Sequence, residues 1–174
     1  RFQMPVRELL RLGNPGLFRV CDPVIREELG DIKLVAADLH DTLMEFRQRT
    51  GMARAMAAPQ IGIYKRLIYM HIDRPVTFVN PVITDLSSAT FEMWDDCMSF
   101  PELLVRLRRH KTCRIKYRDL ECNEHTQELT ELSELLQHEV DHLDGVLSVS
   151  RAIDDRSIVL RSERHFLEGY VAND

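Results

Sequence analysis

Two histidines and a glutamate form the pattern His138-Glu139-Val140-Asp141-His142 in the C-terminal half of the chain. In an α-helix, residues four positions apart lie on one face, so both imidazoles can bind the same metal ion. Glu139 is offset by one position and is free to act as a general base towards a water molecule at that metal. The pattern predicts a hydrolytic metal site, and its alternative is an ordinary amphipathic helix that carries two histidines by chance.

Apolar residues surround this motif at spacings typical of a helix. They are Leu132, Leu135, Leu136, Val140 and Leu143. The periodicity predicts a buried helix over residues 132–145. Thr130 is a candidate N-terminal cap, and Gly145 is suited to the C-terminal stop.

A catalytic zinc-type site usually combines three protein ligands with an open position for water, so one ligand must come from elsewhere. Cys97 lies in a polar turn after a predicted strand, but spacing alone does not distinguish it from Cys113 or Cys122. Glu163 and His165 stand downstream, where a zincin-type protease has its third ligand, although not in a recognisable frame. The third ligand therefore remains open at this point.

Length and composition narrow the class of protein. A chain of 174 residues with 44% hydrophobic residues predicts a single domain over residues 1–174. A net charge of −5 argues against sequence-specific nucleic-acid binding, and the four cysteines without a C-x-x-C pair indicate reduced thiols. Since no membrane-spanning stretch or signal peptide is visible, we expect a cytoplasmic location. A monomer is also expected. The chain begins at Arg1, so an organelle of bacterial origin is the alternative if a targeting segment was removed.

A second helix is predicted over residues 32–49, with Asp31 as its cap. Its apolar positions are Ile32, Val35, Leu39, Leu43 and Phe46. The opposite face is predicted to be exposed and carries Asp38, Asp41, Glu45 and Arg49. The small residues of 52–62 read as a loop.

Alternating or β-rich stretches predict strands at 66–72, 76–84, 90–94, 112–119, 127–129 and 146–149. Residues 153–170 are predicted to form a terminal helix. Basic residues concentrate around the strand at 112–119, and they include Arg106, Arg108, Arg109, Lys111, Arg114, Lys116 and Arg118. We favour an ordinary solvated strand face, with docking to an acidic partner such as the ribosome surface as the alternative.

Three stretches together resemble the peptide deformylase family, whose signatures are G-x-G-x-A-A-P-Q, E-G-C-x-S and Q-H-E-x-D-H-x-x-G. Residues 53–60 read Ala-Arg-Ala-Met-Ala-Ala-Pro-Gln, and residues 95–99 read Asp-Asp-Cys-Met-Ser. Residues 137–145 match the third signature completely. The resemblance implies an α+β fold with antiparallel β-sheets packed around a central metal-bearing α-helix.

The resemblance also implies a function. Members of the family remove the N-formyl group from N-formylmethionyl nascent polypeptides and release formate. They commonly use Fe²⁺, and Ni²⁺, Co²⁺ or Zn²⁺ can substitute. By this resemblance Cys97, His138 and His142 are expected to hold the metal, with Glu139 as the base. The side-chain amide of Gln60 and the main-chain N–H of Met98 are expected to stabilise the oxyanion.

Substrate is expected to bind as an extended strand beside Arg54 and Ala55, with Asp95, Glu134 and Leu135 also at the substrate site. Departures from the family pattern concentrate here. Alanines stand for both glycines of the first signature (Ala53 and Ala55), Asp95-Asp96 stands for Glu-Gly, and Leu104 occupies a position where the family often has arginine. Glu131, Glu134 and Arg54 lie where the family has apolar pocket residues. Arg54 and Glu134 are therefore expected either to meet across the pocket or to point into solvent.

Three alternatives accompany this interpretation. The first is a deformylase-like amidohydrolase with an altered substrate preference. The second is a zincin-type metalloprotease, which would need a carboxylate or histidine as its third ligand. The third is a non-catalytic metal-bound interaction module, and the presence of Glu139 argues against it, because a purely structural site has no use for a base.

Overall fold

The computed structural model describes residues 6–171. In this part of the chain the helices are α1 (Leu29–Thr50) and α2 (Ser133–Leu143). The strands are β1 (Ala55–Ala57), β2 (Leu67–His71), β3 (Pro75–Thr84), β4 (Thr90–Asp95), β5 (Leu103–His110), β6 (Cys113–Arg118), β7 (Glu124–Leu129) and β8 (Ile158–Leu160). Short 3₁₀ helices lie at Pro15–Phe18, Arg26–Glu28, Ala58–Ile61, Ser148–Arg151 and Arg161–Phe166.

The strands form two sheets, and every pair of neighbouring strands is antiparallel. One sheet has five strands in the order β1-β2-β3-β6-β7, and the other has three in the order β4-β5-β8. Helix α2 packs on the first sheet through one core cluster and contacts β5 of the second. The predicted α+β architecture, with antiparallel sheets around the motif-bearing helix, is confirmed.

Helix α2 is held by its apolar face. Leu136 and Leu143 are fully buried in the core that also contains Ile68, Phe78 and Ile115, and each buried leucine stabilises the fold by about 1.5–3 kcal/mol. The predicted cap at Thr130 is wrong, because the helix begins after Leu132 and no side chain caps it.

Gly145 follows α2 in the left-handed region at φ +70°. A Cβ atom at this position would lie 2.4 Å from the carbonyl oxygen of Phe18, so no larger residue fits without a shift of the backbone. The predicted C-terminal stop thus also allows the N-terminal segment to lie close against the end of α2.

Helix α1 begins three residues before the predicted start, and Asp31 lies in its first turn instead of capping it. Gly51 ends the helix in the left-handed conformation. The predicted exposed face is wrong at Asp38, which is buried and accepts a hydrogen bond of 2.8 Å from Nε of Arg7. Neither helix of residues 6–171 combines the length and apolar character that a membrane span requires.

Two parts of the fold differ from the sequence-based expectation. Strand β5 was not predicted, because four of its eight residues are basic, yet Leu104, Val105 and Leu107 are completely buried in it. After α2, a 3₁₀ helix occupies Ser148–Arg151 in place of the predicted strand. The predicted terminal helix is wrong as well, since its residues form β8 and a further 3₁₀ helix.

The small-residue stretch that we predicted to be a loop contains β1, the edge strand of the five-stranded sheet. Ala55, Ala57 and Ala58 are buried there, so short side chains let this strand pack closely against the core. Ala53, just before the strand, has φ +101°, a conformation that alanine rarely adopts. Ala53 thus occupies a backbone conformation in which only glycine is free of strain, whereas Ala55 does not.

Replacing Ala53 with glycine is expected to raise the free energy of unfolding by about 0.5–1 kcal/mol, because the relief of strain exceeds the extra entropy of the unfolded chain. Urea denaturation measures the change. The matched variant Ala55→Gly should shift stability in the opposite direction by a similar amount, since Ala55 has ordinary strand geometry and a buried methyl group. Equal destabilisation by both variants would show that Ala53 is not strained.

Candidate metal centre

Three side chains from two parts of the chain meet beside α2. The turn between β4 and β5 provides Cys97, and α2 provides His138 and His142. Sγ of Cys97 lies 3.4 Å from Nε2 of His142, and that nitrogen lies 3.2 Å from Nε2 of His138. All three side chains are buried, and their ligand atoms lie within 4.8 Å of one another.

This donor set fits a divalent metal ion. Nδ1 of His138 lies 2.9 Å from Oδ2 of Asp95 and carries the proton of that hydrogen bond, so Nε2 is the nitrogen that can bind a metal once its own proton is displaced. Burial alone would lower the pKa of His138, but the Asp95 carboxylate outweighs it and raises that pKa well above its ordinary value. The ring is consequently a strongly basic ligand for a metal ion. Two imidazole nitrogens and a sulfur in such close contact suit the softer transition metals.

A series of charged side chains, linked by hydrogen bonds, fixes the orientation of His138. Oδ2 of Asp95 also accepts a hydrogen bond of 3.0 Å from Nη2 of Arg109, and Nη1 of Arg109 donates to Asp141 at 2.7 Å. Arg151 closes the series with two hydrogen bonds to Asp141. Burial by itself would raise the pKa of Asp95, but His138 and Arg109 lower it to about 2, so this carboxylate stays charged.

These contacts bear on two expectations. The substrate-binding role expected of Asp95 stays a prediction, since Asp95 lines the cavity. Its carboxylate also binds His138 and Arg109, so it is placed to orient a metal ligand. Arg109 was expected on a solvated strand face, whereas it is only 3% exposed. Val105, Leu107 and Arg109 are alternate residues of one strand, so their side chains share a face. This periodicity was the sequence signal that could have predicted the burial of Arg109.

Glu139 lies beside the ligands on α2 and is buried. Within residues 6–171 its Oε2 atom has no hydrogen-bond partner. Burial raises the pKa of Glu139 to about 7. The charge of Arg54 lowers this pKa and the charge of Glu134 raises it, both by less than burial does. A carboxylate that is buried, unpartnered and basic is suited to accept a proton in the site.

Gln60 reaches the centre from the 3₁₀ helix after β1. Its Oε1 accepts from the main-chain N–H of Ala57 at 2.9 Å, which fixes the orientation of the amide. Its Nε2 group lies 3.2 Å from Oγ of Ser99 and 3.7 Å from Sγ of Cys97. Met98 directly follows Cys97, and its main-chain N–H donates to no main-chain acceptor of the described chain. The Gln60 amide thus lies next to the metal-binding group, and Met98 adjoins Cys97 in the chain and lines the same cavity.

One cavity is lined by Cys97, His138 and Gln60, and its walls carry two ion pairs. Nη2 of Arg54 donates to Oε1 of Glu134 at 2.7 Å, so the predicted approach of these residues is present. Asp96, which stands for a family glycine, accepts from Arg161 at 2.8 Å. Ala55 and Leu135 also line the cavity, together with Met98 and Glu139.

Replacing Asp95 with asparagine is expected to lower metal affinity by about 10- to 100-fold, since a neutral amide polarises His138 less than a carboxylate does. Competition with a chromogenic chelator measures this. Asp96→Asn is the matched control, because Asp96 pairs with Arg161 instead of a ligand. Equal affinities of the two variants would contradict the assigned role of Asp95.

Comparison with known proteins agrees with this geometry. The family model described as polypeptide deformylase matches residues 6–157. A peptide deformylase of Thermotoga sp. (strain RQ2) is 35% identical over 154 residues, covering 87% of this chain and 90% of that protein. A peptide deformylase-like protein of Brucella melitensis is 32% identical over 152 residues, covering 85% and 89%. The crystal structure of peptide deformylase from Thermotoga maritima superimposes with a TM-score of 0.79 at 28% identity, over 86% of this chain and 99% of that one. The chain therefore belongs to the polypeptide deformylase family.

Proposed function

We propose that this protein is a metal-dependent hydrolase that removes the N-formyl group from N-formylmethionyl nascent polypeptides and releases formate. The observation that carries the proposal is the pairing of a Cys/His/His donor group with the buried carboxylate of Glu139, whose Oε2 atom has no hydrogen-bond partner within residues 6–171. Cys97, His138 and Glu139 line the same cavity. A purely structural metal site has no use for a base at this position.

Cys97, His138 and His142 hold the metal in this proposal. Iron(II) is the proposed ion, and nickel, cobalt or zinc can take its place, since thiolate and imidazole donors bind all of them. When bound, the metal makes water more acidic and polarises the formyl oxygen.

Glu139 takes a proton from the attacking water as the oxygen of that water bonds to the formyl carbon. The same carboxylic acid then gives the proton to the leaving nitrogen as the carbon–nitrogen bond breaks, so that formate and a free amine result. The amide N–H of Gln60 and the main-chain N–H of Met98 donate to the oxyanion that forms between these steps.

The position of β1 supports binding of an extended peptide. This strand lies at the edge of the five-stranded sheet, and Ala55 lines the cavity. A peptide main chain can add to such an edge through hydrogen bonds that do not depend on sequence. A formyl carbon carries only hydrogen, so a narrow site next to the ligands can exclude larger acyl groups by size.

Docking to the ribosome stays a prediction, as do the monomeric state and the cytoplasmic location. The basic strands offer limited charge for such docking, because their arginines have acidic partners. The ion pairs are Arg106–Asp154, Arg108–Glu92, Arg114–Asp85, Arg114–Glu128 and Arg118–Glu124. The contacts therefore favour the solvated strand face.

The proposed activity is tested by formate release from formyl-Met-Ala-Ser by protein that is purified anaerobically and loaded with Fe²⁺. A coupled formate dehydrogenase assay should show multiple turnovers, and acetyl-Met-Ala-Ser should release no acetate. Absence of formate from every formyl peptide tested would refute the proposal.

A further inference from the structure

The ion pair between Arg54 and Glu134 lies next to the reacting groups. Glu134 is four residues before His138 and one turn away on the same face of α2. Arg54 directly precedes β1, the strand beside which the peptide is proposed to bind. Both side chains are mostly buried, with exposures of 24% and 13%, and both line the cavity of the metal centre. In the binding mode proposed above, the side chain of the formylated residue lies close to this pair.

An apolar side chain fits this wall poorly. It would remove water from a guanidinium and a carboxylate without replacing their hydrogen bonds to that water, which is unfavourable even though the two groups stay paired with each other. A second ion pair, Asp96–Arg161, also lines the cavity and is held by a hydrogen bond of 2.7 Å from Arg161 to the carbonyl of Pro101. The cavity thus offers charged groups at two places in its wall.

The Arg54–Glu134 pair retains unused hydrogen-bonding capacity. One contact joins Nη2 of Arg54 to Oε1 of Glu134, while a guanidinium has several further N–H donors and a carboxylate has a second oxygen. A ligand that offers both an acceptor and a donor can therefore bond to both members without separating them.

Charge limits the choice of that ligand. A carboxylate on the substrate would approach Glu134 and Glu139, and an ammonium group would approach Arg54. A neutral carboxamide avoids both repulsions, since its oxygen accepts from Arg54 and its NH₂ group donates to Glu134. On the basis of the proposed deformylase activity, we infer that this site selects formylated substrates whose first side chain carries a carboxamide, with glutamine preferred over methionine.

A near-isosteric series tests this preference. The peptides are formyl-X-Ala-Ser with glutamine, methionine, norleucine, glutamate or lysine as X, assayed with the metal-loaded enzyme. We expect kcat/KM for the glutamine peptide to exceed that for norleucine and methionine by at least about tenfold, with glutamate and lysine below glutamine. A higher value for methionine or norleucine overturns the inference while leaving the deformylase activity standing. A higher value for glutamate or lysine overturns the carboxamide assignment. No formate release from any peptide overturns both proposals.

Two variants test whether the ion pair sets the preference. The double variant Arg54→Leu/Glu134→Leu should reverse the order in favour of norleucine by at least about tenfold. Glu134→Gln keeps the size of the side chain and removes its negative charge, so the glutamate peptide should gain at least about tenfold relative to glutamine. The control is Arg114→Leu/Glu128→Leu, which removes an exposed cross-strand ion pair. An unchanged order in Glu134→Gln would exclude the pair as the determinant, even if the double variant does not fold.

Discussion

Glu139→Gln is expected to lower kcat for formyl-Met-Ala-Ser by about 10²- to 10⁴-fold, the range that general acid–base catalysis contributes. The amide of glutamine fills the same space but cannot take a proton from water or return it to the leaving nitrogen. Metal content should stay at the level of the unmodified protein, because the donor group consists of Cys97, His138 and His142. Steady-state kinetics combined with elemental analysis measures both quantities.

Glu131→Gln provides the matched control for this change. Glu131 also lies near the start of α2, but it is exposed and does not line the cavity of the metal centre. Its removal should leave kcat and metal content unchanged. Retention of most of the activity by Glu139→Gln would remove Glu139 from the reaction, and loss of metal from that variant would make Glu139 a ligand.

Helix α2 and its two histidines could be predicted from sequence because the information is local. The spacing of apolar residues defines the buried face, and the i, i+4 spacing places both imidazoles together. Cys97 could not be chosen from spacing, since its position depends on how β4 and β5 pack against α2. Only the family resemblance pointed to it, and the structure places its sulfur 3.4 Å from His142.

The failures of prediction concern charged residues that are buried by distant partners. Arg109 looked like part of a solvated strand face, and Asp38 like part of an exposed helix face. Arg109 is buried because Asp95 and Asp141 pair with it, and Asp38 because Arg7 does. Such partners are far away in sequence, so no local pattern reports them. Ala53 is a different case. It stands where the family signature has glycine, and its backbone has a positive φ that glycine adopts without strain but alanine does not.

Cys97→Ser is expected to have the largest effect on metal binding. A serine hydroxyl has nearly the size of a thiol but stays protonated at neutral pH, whereas the metal ligand is a thiolate. Metal affinity should fall by at least about 100-fold, beyond the effect of a residue that only orients a ligand. Formate release should fall with the metal content, by at least about 10³-fold under matched metal concentrations. Chelator competition and the coupled formate assay measure the two quantities.

Cys113→Ser is the matched control, because Cys113 is also a buried thiol but contacts Ser133 at 3.4 Å and lies outside the metal-binding group. Its substitution should leave metal affinity unchanged. The comparison also distinguishes the two hydrolase interpretations of the His138/His142 pair. A zincin-type protease takes its third ligand from a carboxylate or histidine, so its metal affinity would survive the loss of Cys97. If Cys97→Ser and Cys113→Ser bind metal equally well, the sulfur of Cys97 is not a ligand. The deformylase proposal then loses the cysteine ligand that distinguishes this site from that of a zincin-type protease.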